Sequence, residues 1–157
     1  MMKIAEFIRP ENVIIDLPAK SKSRALQAMS AQASQVLGVS ESVILHALLA
    51  REKLGSTGIG EGIAIPHTRI AGVAAPFGLL ARMNKPIDFD AIDDVPVDIV
   101  FLLLMPAEST KDHLNALAQV ARQLRSQEVL KKIRGAASAD ELYEAIIFQP
   151  EPPAAIG

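Results

Sequence analysis

The run from Ile99 to Met105 constrains this chain more than any other segment. No polar side chain interrupts it; Asp98 precedes it and Pro106 stops it. It falls far short of the roughly 18–20 apolar residues that a membrane helix needs. A strand that is apolar at every position has both faces covered, as in sheets sandwiched between helices. Together with Val97, which follows Pro96, the run therefore reads as a central strand with apolar partners on either side.

The rest of the sequence supplies those partners. Val13-Ile14-Ile15 is a β-branched run and predicts a strand. Leu26, Met29, Ala33 and Val36-Leu37 recur at helical spacing, with Gly38 closing the segment. Ser40 fits the N-cap of a second helix, whose stripe is Ile44, Ala47 and Leu48, extended one turn by Arg51. Gly55 provides its stop. Ser56 to Pro66 reads as a loop or as a pair of short strands with turns. Phe77 to Met83 predicts another strand. A helix is expected after Pro106, opened by an approximate capping box of Ser109 and Asp112, with Leu114, Leu117, Ala118, Ala121 and Leu124 facing inward. Ser138 and Glu141 match the capping box fully and open a last helix, with Leu142, Ala145 and Ile146 buried. Strands alternating with helices, around a doubly apolar strand, predict a layered α/β domain.

The 157 residues suit one domain, expected over 1–149, with a Pro-rich tail from 150 to 157 that frays. The formal net charge is -2, and no Lys/Arg run is present, so there is no footprint for nucleic acid. The absence of cysteine excludes disulfides, thiolate metal sites and thiol catalysis. Met1 to Glu6 lacks the apolar core of a signal peptide, and no membrane insertion is expected, which places the chain in the cytoplasm.

The segment Gly55-Ser56-Thr57-Gly58-Ile59-Gly60-Glu61-Gly62 is not a nucleotide loop. It lacks the terminal Gly-Lys-Ser/Thr of a Walker motif, and its glycines miss the spacing of a dinucleotide fingerprint. It is either a turn with left-handed residues or a loop whose backbone amides approach an anion. Ile63-Ala64-Ile65 is strand-like, Pro66 biases Ile65 to an extended backbone, and His67 follows at once. A neutral imidazole is a nucleophile near pH 7, which suits reversible group transfer. Arg51 either offers a planar fork of N–H groups to phosphate oxygens or snorkels at a helix end. His113 falls in the first turn of the helix after Pro106, where anions are favoured. It either donates to phosphoryl oxygens or the other ring, or caps the edge of the core. His46, in mid-helix, reads as structural or exposed. The three histidines match no metal spacing, and Gly-x-Ser-x-Gly is absent, so no metal site or Ser–His–Asp hydrolase is expected.

These residues carry a resemblance. Arg51 through His67 is similar to the active-site segment of the fructose/mannitol/nitrogen branch of the phosphotransferase-system enzyme IIA proteins. Phe89-Asp90-Ala91-Ile92-Asp93, Pro96-Val97-Asp98 and Lys111-Asp112-His113-Leu114 resemble the nitrogen-regulatory members. The likeness runs from about Ile4 to Ile147. It implies a mixed β-sheet with helices on both faces. It implies that His67 accepts a phosphoryl group, on Nε2, from an HPr-like carrier charged through a phosphoenolpyruvate-dependent enzyme I. It implies that Arg51 and His113 help hold that group, with no metal or organic cofactor. In nitrogen-regulatory members the output is phosphorylation-dependent control of partners, often in potassium handling or in nitrogen and carbon balance. Sugar-transporting relatives pass the group to a IIB domain instead.

Two positions depart from the pattern. Thr68 stands where relatives often have glycine and adds bulk on the donor's approach. Asp112 stands beside His113 where a neutral hydroxyl residue is common, and a carboxylate there repels a phosphoryl group or raises the pKa of His113. The competing expectations are a soluble IIA component of a fructose/mannitol-type transporter, and a binding module that turns over no phosphate. The complete set of His67, Arg51 and His113 speaks against the second.

Overall fold

The computed structural model describes residues 3–108 and 111–150, and of residues 111–113 the helical backbone alone. Strands β1 (Val13–Leu17), β2 (Gly58–Gly60), β3 (Ile63–Ala64), β4 (His67–Ile70), β5 (Phe77–Ile87) and β6 (Val97–Pro106) form one mixed sheet. Its order is β1-β5-β6-β3-β2, with β4 also pairing β6. Helices α1 (Lys22–Leu37) and α2 (Glu41–Lys53) lie between β1 and β2 in the chain. Helices α3 (Lys111–Gln123), α4 (Gln127–Gly135) and α5 (Ala139–Ile147) follow β6.

The apolar run becomes β6 at the centre of this sheet. It pairs antiparallel with β5 and parallel with β3 and β4. Its side chains alternate between two cores, as strand geometry requires. Ile99, Phe101, Leu103 and Met105 join the apolar faces of α3, α4 and α5. Val100, Leu102 and Leu104 join those of α1 and α2. This is the layered α/β sandwich expected, with helices on both faces.

Local chemistry sets the helix ends. The Ser21 hydroxyl accepts from Arg24 N at 3.2 Å, and Gly38 ends α1 in a left-handed conformation with φ 69°. Ser40 stands at the N-cap of α2, but its hydroxyl meets that of Ser42 at 3.0 Å instead of capping the helix. Ser138 accepts from Glu141 N at 3.2 Å, while the Glu141 carboxylate takes Ala137 N, one residue outside the expected capping box.

Three expectations are corrected. Ala116, Val120 and Gln123 of α3 and Leu124 just after it are buried, with the expected Leu117 and Ala121 half-buried against the same core, but Leu114, 67% exposed, and Ala118 face solvent. The stripe is rotated because Gln123 buries its amide to donate to Ile146 O at 2.8 Å and to Phe148 O, which ties α3 to the end of α5. Helix α4 was not expected. Only Val129, Leu130 and Ile133 of its nine residues are buried, a pattern too short to stand out in sequence. Strand β5 runs on to Ile87, past Pro86, because a register shift between Arg82 and Ile87 leaves the proline outside the ladder. The Ser109–Asp112 capping box and residues 151–157 of the expected tail lie outside the described residues. Among the described residues, no helix is long and apolar enough to cross a membrane.

Candidate functional site

Strands β3 and β4 lie along the same edge of β6 and in the same register. Ala64 pairs with Val100, and His67 with Leu103. Ile65 and Pro66 interrupt the ladder between them. Proline has no N–H to give, and its carbonyl accepts from Leu103 N at 2.9 Å. Ile65 turns its N–H to Thr57 O at 3.0 Å. Its own carbonyl is left to the His67 ring, whose Nδ1 lies 2.7 Å away. A carbonyl oxygen only accepts, so Nδ1 carries a proton, and in the neutral ring the lone pair is then on Nε2. His67 is half-buried at the first position of β4, with Thr68 beside it opposite Leu104.

Of the two alternatives for the glycine segment, a loop or a pair of short strands, the structure has the strands. β2 and β3 are antiparallel, with their turn at Glu61 and Gly62. Both residues have positive φ, 57° and 84°. A Cβ on Gly62 would come within 2.8 Å of Asp98 Oδ1 and 2.9 Å of Arg134 Nη2. That approach is close because Arg134 clamps the turn. Its guanidinium donates to both oxygens of Asp98 at 2.9 Å and to Glu61 O at 2.7 Å. On the other side Asp93 accepts from Glu61 N at 2.9 Å and from Val95 N at 3.1 Å.

Those two backbone donors, Glu61 first, hold the Asp93 carboxyl below its ordinary value. A carboxyl depressed in the folded state stabilises above its unfolded-state pKa and loses that contribution as pH falls through its folded value. Asp93→Asn is accordingly expected to lower the urea midpoint modestly at neutral pH. The gap from the parent should close in acid, and a gap of constant size down the pH series would count against this role.

Arg51 lies in the last turn of α2, and its guanidinium donates to Gly55 O at 2.8 Å. It is therefore set at the start of the glycine segment. Helix α2 packs against β4, which carries His67. The two side chains make no hydrogen bond to each other; each is bound to a backbone carbonyl of the glycine–proline segment. The backbone at His113 is the first turn of α3, as expected, and its side chain is outside the described part. His46 is exposed on α2.

Sequence reasoning missed the groups that hold this segment in place. Glu52 binds Thr57 and Lys22, and Arg134 binds Asp98 and Glu61, with partners up to 73 residues apart. One signal was available. Asp98 is a lone charge opening an otherwise apolar strand, and such a group needs a partner.

This fold and its histidine-bearing segment define a class, the mannitol-type enzyme IIA fold. The crystal structure of IIA mannitol from Escherichia coli has it, at TM-score 0.72 and 23% identity over 88% of this chain and 97% of that one. The family described as phosphoenolpyruvate-dependent sugar phosphotransferase system, EIIA 2, matches residues 6–148, and the chain belongs to it. Within that family it is similar to nitrogen regulatory proteins. The one from Bradyrhizobium diazoefficiens is 43% identical over 95% of this chain and 97% of its own length. The crystal structure of nitrogen regulatory protein IIA-Ntr from Neisseria meningitidis superposes with TM-score 0.85 at 34% identity, covering 91% of this chain and 98% of that one. At family level the chain is a component of a phosphotransferase system, exchanging phosphoryl groups with other components of it.

Proposed function

We propose that His67 accepts a phosphoryl group on Nε2 from an HPr-like carrier of the nitrogen-related type, and that the phosphorylation state then governs which proteins dock. The observation that carries this is the Nδ1 contact to Ile65 O, 2.7 Å long, which leaves Nε2 as the free lone pair. In the transfer, an N–P bond forms at Nε2 as the donor's N–P bond breaks in line. The donor ring leaves as a neutral imidazole. The product ring, substituted at Nε2 and protonated at Nδ1, carries positive charge that the Ile65 carbonyl oxygen meets without rearrangement.

The phosphoryl oxygens need donors. Arg51, already set at the glycine segment by Gly55 O, is the first, and His113 at the start of α3 is the second. No metal or organic cofactor takes part. The added group brings about -1.5 to -2 charges beside the glycine segment, which is enough to change partner choice. The names of the relatives support a regulatory output in nitrogen control; potassium-handling or carbon control factors as further partners follow from the family resemblance alone.

Arg51→Ala and His113→Ala are each expected to slow acceptance from the charged carrier by about 100- to 1,000-fold, the scale for losing one preorganised donor. Circular dichroism and thermal midpoints should stay near those of the parent. Rapid-quench transfer measurements check this, and parental rates in both variants would remove the two residues from the site.

A further inference from the structure

We propose that Glu52 is a positioning residue for this transfer. Through Thr57 and Ile65 it holds the His67 ring in the tautomer that leaves Nε2 nucleophilic. The proposal rests on His67 being the phosphoacceptor.

The Glu52 side chain is only 5% exposed, an unusual place for a carboxylate, and both of its oxygens are committed. Oε1 meets Lys22 Nζ at 2.8 Å and accepts from Thr57 N at 3.1 Å. Oε2 accepts from the Thr57 hydroxyl at 2.5 Å. Thr57 is thus gripped by its backbone and its side chain together, which fixes the direction of its carbonyl. That carbonyl receives Ile65 N at 3.0 Å, and Ile65 O receives His67 Nδ1 at 2.7 Å. The path Glu52–Thr57–Ile65–His67 is continuous, each step a hydrogen bond.

The path matters because of where Ile65 lies. Its neighbours Ala64 and His67 are fixed by pairing with β6, but Ile65 is off the ladder. Its N–H is held by Thr57, and Thr57 is held by Glu52. The neighbouring loop is fastened independently. Ser56 Oγ donates to Phe89 O at 2.6 Å and accepts from Gly58 N at 3.0 Å, neither bond involving Glu52 or Lys22. A change at Glu52 therefore acts on Thr57 and Ile65 while the loop stays attached. If Ile65 O turns away, Nδ1 loses its acceptor and the ring proton redistributes between the two nitrogens.

Glu52→Gln keeps the shape but removes the charge facing Lys22 and the acceptor facing the Thr57 hydroxyl. The expected result is a fall of about tenfold in kcat for acceptance from a charged HPr-like carrier, with KM for the carrier within about twofold of the parent. The 15N spectrum of the His67 ring, recorded where the ring is neutral, should change from one tautomer with Nδ1 protonated to a mixture. Thr57→Val should show the same change more weakly, and Thr57→Ser should restore the parent values. Thr57→Val carries the test if Glu52→Gln does not fold. A folded variant with the parental tautomer overturns the proposal, whether its kcat is unchanged or falls together with a rise in KM. If the parent itself takes no phosphoryl group at His67, the phosphoacceptor reading fails, while the tautomer comparison still decides whether Glu52 governs the ring.

Discussion

Replacing His67 by alanine is expected to abolish phosphoryl acceptance while leaving the fold intact. The imidazole is half-buried at a strand start, and its hydrogen bond is to the Ile65 carbonyl, so the substitution removes one neutral hydrogen bond and little packing. That costs on the order of 1 kcal/mol of stability. No other group on this path can replace it. Thr57 and Ile65 offer a committed hydroxyl and backbone atoms, and His46 lies exposed on α2. The loss of transfer should therefore be complete, not partial. Transfer from the charged carrier, followed by intact mass, checks this. A stable, folded His67→Ala protein that still takes up one phosphoryl group would show that the acceptor is elsewhere.

The largest effect on stability is expected at Phe101→Ala. Phe101 is fully buried at the middle of β6, paired across from Leu80. Its ring lies against Gly78, where an added Cβ would come within 2.8 Å of Cζ. The surrounding core draws on β5, β6 and the three C-terminal helices, so its walls cannot close on the vacated space from one side. Truncating such a phenylalanine costs about 3–5 kcal/mol. At roughly 2–4 °C per kcal/mol for a chain of this length, Tm should fall by roughly 10 °C. Leu114→Ala, on the exposed face of α3, should shift Tm by little. Calorimetry on the pair checks the register of that helix as well as the core. Equal losses from both would mean that the observed α3 stripe is wrong and that Leu114 is packed.

Much of the architecture was legible in sequence because it follows from local pattern. The apolar run that became β6 needs cover on two faces, and Gly38 and Ser138 mark helix ends by φ or by their own hydrogen bonding. The rotation of α3 was not legible, because burial of the Gln123 amide depends on carbonyls of Ile146 and Phe148 that only the fold brings near. The same holds at the site. His67 stands out after Gly-rich sequence and proline, whereas Glu52 looks like one more charge at a helix end. Its partner Lys22 is on a different helix, and Thr57 is met only when the chain turns back. Arg134 shows the extreme case. It lies in a helix that was not foreseen, yet it clamps the turn leading into β3.

The most direct test of the central claim is intact-mass measurement after incubation with enzyme I, an HPr-like carrier and phosphoenolpyruvate, each omitted in turn. The account predicts a single acid-labile phosphoryl adduct that maps to His67 and disappears when the carrier is left out. No adduct with any carrier, or one mapping to another residue, would contradict it.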